Sequence, residues 1–339
     1  MRLLLLGGGW FLGRAVAESA LARGWQVTTF SRGLSGGDVP GVETVRGDRT
    51  VRQDLARLAK AGPWDLVVDT SSSELPPRDV LMAVEVLETT VARWAHVSTV
   101  SVYKGWPHEP LTEDSEVLVA PADADESFGF TGTDGSPTQY GFQKAGAENA
   151  VLNAFGDRAL IMRPGVILGP GEYVGRLPWW LHRAARGGPI LAPAPPELRM
   201  QPVDVRDVAK VTLDLAAAGA HGPYNVAHPD GITWAGFIGT CLDVTGGSGY
   251  PVWADSADLI RHGVKQWTEL PLWRTHSGVW SVDPSRAVAA GFSPRPLEET
   301  IADTWAWLHG GGQAVPHPRA AEHGIAPARE QQLLAELSG

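Results

Sequence analysis

Residues 1–14 read MRLLLLGGGWFLGR, an apolar run behind one arginine that three glycines interrupt. Four leucines fall short of a signal peptide's apolar stretch, and no later run approaches the roughly 18 residues of a membrane span. Residues 3–6 instead have the length and character of a strand buried in a parallel sheet. Phe11, Leu12, Ala15, Val16, Ser19, Ala20 and Leu21 then recur at helical spacing until Gly24, which suits a helix end. Residues 26–30, QVTTF, read as a second strand. Strand, glycine turn, helix, strand is the unit that sets a helix N-terminus beneath a phosphate. Gly7 suits the tight turn and Gly13 the close approach of helix to strand.

The alternation continues. Residues 42–45 lead into Gly47-Asp48, 65–69 and 94–99 are further apolar strands, and helical stretches fall at 51–61 and 78–92. This predicts an α/β fold with a doubly wound parallel Rossmann sheet and ligands at the strand C-termini. A helix over 139–153 precedes a strand at 159–162. Beyond Gly169-Pro170-Gly171, Pro and Trp become frequent and no repeat is visible. The expected division is a dinucleotide-binding domain over 1–170, to which 200–228 returns, a smaller substrate-binding portion over 171–310, and a C-terminal extension over 311–339. The Gly/Pro/Ala-rich start of that extension reads as a surface segment before a short helix at 329–337.

Composition narrows the function classes. The 339 residues are 43% apolar and 19% charged, as in globular chains. A net charge of −10 lacks the basic footprint of a nucleic-acid binder. Cys241 stands alone, so no internal disulfide forms, and the ten histidines have no metal-ligand spacing. The expectation is a cytoplasmic protein with a small-molecule substrate and no nucleic acid, membrane or metal partner; a homodimer is compatible with it. His96 reads as a strand-end residue, and Asp204, Arg206 and Asp207 as structural.

Three groups carry chemistry. In YGFQK, Tyr140 and Lys144 stand four apart, one turn along a helix face. In HVSTVSVY, Ser98, Thr99 and Ser101 follow a strand toward the same crevice. A tyrosine hydroxyl, with a usual pKa of about 10, needs help to shuttle protons at neutral pH. An ammonium one turn away favours the phenolate, and a neighbouring hydroxyl can orient a substrate oxygen.

With GGGWFLG, GDRT, RPGVILGPG, QPVDVRDVA, GPYNVA and GFSPRPLEETIADTWAW added, the chain resembles the extended short-chain dehydrogenase/reductases of the NAD(P)-dependent epimerase/dehydratase family over roughly 1–307. The resemblance implies Tyr140 as catalytic acid/base, Lys144 lowering its pKa and holding the cofactor ribose, and Thr99 binding the reacting carbonyl. It places Gly7, Gly9, Trp10, Phe11, Leu12, Gly13, Asp48, Thr70, Ser71, Ser98, Pro164, Val166 and Ile167 around the cofactor, and Ser101 and Tyr103 near the substrate. Trp10 stands where the usual motif has its second glycine, so GGGWFLGR is nearer the atypical branch, some members of which lack the tyrosine or bind RNA.

At the second strand's end, Ser31 and Arg32 replace the acid that would hold an NAD ribose, so NADP is the expected cofactor rather than NAD. Val100-Ser101 after Thr99 argues against 4,6-dehydratase chemistry. Met200 stands where sugar-nucleotide epimerases carry a diphosphate arginine, with Arg199 one residue away. The expected function is an NADP-dependent reductase acting on a carbonyl or hydroxyl of a small metabolite. The alternatives are an epimerase of a sugar-like substrate and a non-catalytic dinucleotide-sensing or RNA-binding module. Trp179, Trp180, Trp267, Trp273 and Trp280 fall in loop-like sequence of the substrate half, and at least two of them are expected to wall an apolar cleft facing Tyr140.

Overall fold

The computed structural model describes residues 1–337 except Ser35 and Asp134; the last two positions of the extension lie outside the described residues. Leu3 to Leu6 are wholly buried in β1 (Arg2–Leu6), which pairs in parallel with β2 (Gln26–Ser31). Outward from β2 lies β3 (Glu43–Arg46); on the other side follow β4 (Trp64–Asp69), β5 (Val91–Val97), β6 (Ala159–Pro164) and the strand Gly222–Val226. All seven are parallel. The winding reverses between β1 and β4, which opens a crevice at their C-terminal ends.

Alternate residues of these strands serve different cores. Leu3, Leu5, Val27 and Val68 pack under α1 (Phe11–Ala22) and residues 205–217, whereas Leu4, Leu6, Phe30 and Val67 pack under α2 (Arg52–Ala61), α3 (Pro77–Leu87) and α4 (Gln139–Phe155). Each wholly buried leucine contributes about 1.5–3 kcal/mol, and a one-residue slip would exchange the two faces of the strand. The register is therefore pinned.

A second core joins α5 (Arg176–Arg186), the helices Trp234–Thr245 and Leu297–His309, and a parallel pair formed by Pro189–Pro193 and Tyr250–Ala254. Trp179-Trp180 therefore lies in a helix, not in the expected loop; Pro178 is tolerated there because the first helical turn needs no internal N–H partner. The linear division is interleaved in a way the composition does not reveal. α6 (Val205–Ala217) packs on the sheet and Gly222–Val226 pairs with β6, and Ala287 and Phe292 join the same core.

The extension is not a surface segment throughout. Ile325, Leu333 and Leu334 are buried in the second core, and Glu330, 2% exposed, pairs with Arg183 and Arg186 at 2.8 Å each. A paired internal carboxylate holds the helix Pro327–Leu337 to α5. Among the described residues, no helix is long and apolar enough to cross a membrane.

Candidate active site

The glycine turn closes the crevice floor. Gly7 and Gly8 both have φ of +108°, a region open to glycine. A Cβ on Gly13 would lie 2.6 Å from the Gly8 nitrogen, so this helix–strand approach excludes any side chain. Helix α1 begins without a side-chain cap, which leaves its first N–H groups and positive dipole end free for an anion. The Trp10 ring packs 4.4 Å from Tyr173 and 5.9 Å from His317. Phe11, with φ of +37°, sets its ring edge-on to Tyr173. Leu12 is buried and Gly9 half-buried. Thr70 closes the turn from β4, donating to the Leu6 carbonyl at 3.2 Å and facing Gly7 and Gly13.

At the sheet's other edge, Ser31 Oγ accepts from Arg46, which pairs with Asp38 at 2.5 Å. Arg32 is exposed and near Asp48, whose carboxyl is held below its usual range chiefly by hydrogen bonds from Thr50 and further by Arg32 and Arg49. Ser71 Oγ accepts from Arg49 at 2.8 Å. Pro164 ends β6, and Val166 and Ile167 lie where the two cores meet.

Tyr140 and Thr99 are brought together by backbone contact. Thr138 caps α4 by accepting from the Gly141 N–H, and a Cβ on Gly141 would lie 2.3 Å from the Ser101 carbonyl oxygen. The bare glycine lets the helix start touch the Val100–Val102 turn, and the Thr99 hydroxyl acts on the Tyr140 phenol to favour its ionised form. Thr99 also accepts from the Ser101 N–H at 3.2 Å and donates to Ser101 Oγ at 3.3 Å. Tyr140 as a whole is 41% exposed. Burial pushes the phenol up to about 12 and the nearby Tyr173 adds to this, against Thr99, Arg319 and Arg176.

Lys144 is buried one turn below. Its ammonium donates to Ser72 Oγ at 2.8 Å and to the Val97 carbonyl at 2.7 Å, with His96 Nε2 at 3.4 Å. Burial pulls its pKa down to about 8, against the carboxylates of Asp69 and Glu148.

Several expected contacts face elsewhere. Ser98 is turned inward, donating to Glu148 at 2.5 Å, and the same carboxylate binds Arg163, so its hydroxyl is not available to a cofactor. Tyr103 is buried; its hydroxyl donates to Asn225 at 2.7 Å and accepts from Arg163 at 3.0 Å, so it does not line a substrate cleft. Trp180 and Trp273, each 1% exposed, belong to the second core, where Trp180 Nε1 donates to the Pro271 carbonyl. Their large rings fill that core, which removes them from the cleft wall. Trp179 packs edge-on against Trp180 and over Gly324.

Trp267 and Trp280 remain as a half-buried pair with ring centroids 6.1 Å apart. Trp267 adopts φ of +70°, strained for a large side chain, and carries the guanidinium groups of Arg176 and Arg274 at 5.4 Å each. Arg176, over the Trp267 ring, is also close enough for its charge to act on the Tyr140 phenol. Sequence reading missed Arg176, Tyr173, Ser72, His317 and Arg319. None belongs to a periodic pattern, and the last two sit in the Gly/Pro/Ala-rich segment. Among the described residues, no group of three or more His, Cys, Asp or Glu could hold a metal ion.

The family model described as "NAD dependent epimerase/dehydratase family" matches residues 3–227. Solved structures with the same fold include WbmH of Bordetella bronchiseptica in complex with NAD+ (TM-score 0.70, 19% identity, covering 92% of this chain and 99% of that one). WbmG of the same organism, in complex with NAD and UDP, has a TM-score of 0.69 at 18% identity, over 93% of this chain and 96% of that one. UDP-glucose 4-epimerase of Thermotoga maritima, solved with UDP-glucose, has a TM-score of 0.66 at 17% identity, over 92% and 100%. No curated protein matches the chain.

Proposed function

The chain belongs to the NAD-dependent epimerase/dehydratase family, and from that premise we propose that it moves hydride between a nicotinamide dinucleotide and an alcohol or carbonyl carbon of a small substrate. The observation that carries this reading is Tyr140 at the start of α4, acted on by the Thr99 hydroxyl and one helical turn from the buried ammonium of Lys144. The residues present fit a dinucleotide: bare Gly7 and Gly13 let the turn, Thr70 and α1 close on one another, and the uncapped start of α1 offers N–H groups to its pyrophosphate. Bound there, it would supply or take the hydride.

This chain's residues do the rest. Thr99 orients the substrate oxygen and, as charge develops on it, stabilises that charge. Tyr140, protonated at neutral pH because burial raises its pKa, gives its proton to that oxygen in the reducing direction. In the oxidising direction it must take the proton, and the ammonium of Lys144 below it favours the phenolate that does so.

Two outcomes use these groups. Return of the hydride to the same molecule gives epimerisation, favoured by the C-terminal segment: His317 packs on Trp10 and Tyr173 and pairs with Glu74 at 3.1 Å across the glycine turn, which suits a retained cofactor. Several structural relatives are named epimerases. Net reduction is the second reading, with NADP as cofactor; Arg32 favours it. Arg176 and Arg319, both acting on the Tyr140 phenol, suit a substrate with negative charge.

Incubating the purified chain with NAD+ and UDP-glucose or UDP-galactose, and separately with NADPH and a panel of small ketones, distinguishes them. Epimer formation without net cofactor change supports the first reading, and stoichiometric NADPH loss the second. Binding of NADPH and NADH is compared for wild type and Arg32→Ala. A chain that binds neither NAD(H) nor NADP(H) overturns both readings.

A further inference from the structure

Beneath Tyr140 a row of ionisable side chains runs into the sheet. Lys144 Nζ lies 3.4 Å from His96 Nε2, and His96 Nδ1 lies 3.5 Å from Asp69 Oδ2. Asp69 in turn accepts from both terminal nitrogens of Arg49, at 2.6 and 3.0 Å. Lys144 and His96 are 1% and 0% exposed, and Asp69 is 0%. The row reaches across three elements, from α4 through β5 to β4, because His96 stands opposite Asp69 in the register of the two strands. On the other flank Glu148, one turn beyond Lys144, is bound by Arg163 of β6.

Asp69 is matched by Arg49 and Glu148 by Arg163, so Lys144 is the charge left without its own carboxylate contact. Two of its hydrogens have oxygen acceptors, on Ser72 and Val97. The third direction is filled by the imidazole. An ammonium can only donate, so Nε2 must carry the lone pair and Nδ1 the proton, turned toward Asp69. The Lys144 contact is at the long end for a hydrogen bond. Nδ1 faces Asp69 at 3.5 Å without completing a hydrogen bond to it or to any other group, which leaves the ring with Lys144 as its one polar contact.

We propose that His96 is a positioning residue for this site: its neutral ring, unprotonated at Nε2, accepts the third hydrogen of Lys144 and keeps the ammonium charged and in place beneath Tyr140. The ring touches neither substrate nor cofactor. Burial and the Lys144 charge hold the imidazole below its usual pKa, outweighing Asp69 and Glu148. The neutral form is thus the one the surroundings select. For Lys144 the groups that face it are Asp69 and Glu148, which favour its charge, and Arg49, which opposes it. The assignment rests on the proposed reading of Lys144 as the charge serving Tyr140. Its test reads Lys144 directly.

The chain has five lysines, so full-length protein carrying 13C at lysine Cε gives a spectrum of five signals, and loss of one in Lys144→Met identifies Lys144. Titration of wild type is expected to show its midpoint near 8. In His96→Leu the ammonium loses an acceptor in an apolar setting, and the midpoint is expected to fall by about one pH unit or more. His96→Gln, which offers an amide oxygen, is expected to recover most of that shift. An unmoved midpoint in His96→Leu overturns the assignment, and so does an equal fall in the Leu and Gln variants, since packing alone would then explain it. A long-range proton–nitrogen spectrum of the wild-type histidine rings at pH 7 needs no variant. A His96 ring protonated at Nε2 there also overturns the proposal. Failure of the turnover assays would leave these lysine and histidine signals unchanged, so the two readings fail separately.

Discussion

Tyr140 is placed as an acid before it is a base. Burial outweighs the Thr99 hydroxyl and the two guanidinium groups, so the phenol keeps its proton at neutral pH. Tyr140→Phe retains the ring's packing and removes the proton. It is expected to lower turnover by about 10²–10⁴ while dinucleotide affinity stays within about twofold. Single-turnover rates and fluorescence titration check this; near-normal turnover would reassign the proton. Lys144 makes a second prediction through stability. Its pKa in the fold, about 8, lies below the roughly 10.4 of an unfolded chain. The unfolded state therefore binds more protons between those values, and stability rises with pH there. Below pH 8 the cost of the buried charge is fully present. Urea unfolding at pH 7 to 10 should show Lys144→Met losing its advantage over wild type by up to about 1.4 kcal/mol per pH unit above 8. A gap that does not change with pH would mean that burial does not move this lysine.

The helix start of α4 decides whether Tyr140 meets Thr99 at all. A Cβ at Gly141 would lie 2.3 Å from the Ser101 oxygen and 3.0 Å from a Leu118 methyl, and the first of these is backbone. Gly141→Ala should then push α4 away from the Val100–Val102 turn, costing about 1–3 kcal/mol. It should also separate the phenol from the Thr99 hydroxyl and reduce turnover. Gly239→Ala is the matched control: it lies within Trp234–Thr245, and nothing stands within 4 Å of its added carbon. That change should be neutral or should stabilise by up to about 1 kcal/mol. Equal stability losses in the two variants, measured by urea unfolding, would show that the close approach at Gly141 is not what costs.

The whole molecule is closed by its last helix. Glu330 holds Arg183 and Arg186 and also accepts from the Leu191 N–H, so one internal carboxylate ties the C-terminal segment to α5 and to the strand after it. Replacing it by an amide leaves the Arg183 guanidinium buried without a counter-charge. Glu330→Gln is expected to cost about 3–5 kcal/mol in unfolding free energy. Because the same segment carries His317 onto Trp10 and Tyr173, dinucleotide release should quicken in parallel. Unchanged unfolding and release would detach the extension from both roles.

The sequence by itself determined the alternation of strand and helix, the glycine turn, and the Tyr140–Lys144 spacing. Each is local: apolar periodicity, a backbone that must pass through φ of +108°, and one helical turn between two side chains. Only the tertiary structure decided which way side chains face. Ser98 turns to Glu148, 50 residues away, and Tyr103 to Asn225, 122 residues away; nothing beside either residue announces such a partner. Trp180 and Trp273 went into the core, Trp280 to its margin and Trp267 beside Trp280, although all four are the same residue type. Burial of a ring depends on the helices that pack around it, and those come from segments far apart in the chain. Likewise the extension's Gly/Pro/Ala-rich composition says that its start forms no regular element. Only the buried Glu330 pairing and the His317 stack bring it back over α5 and the glycine turn.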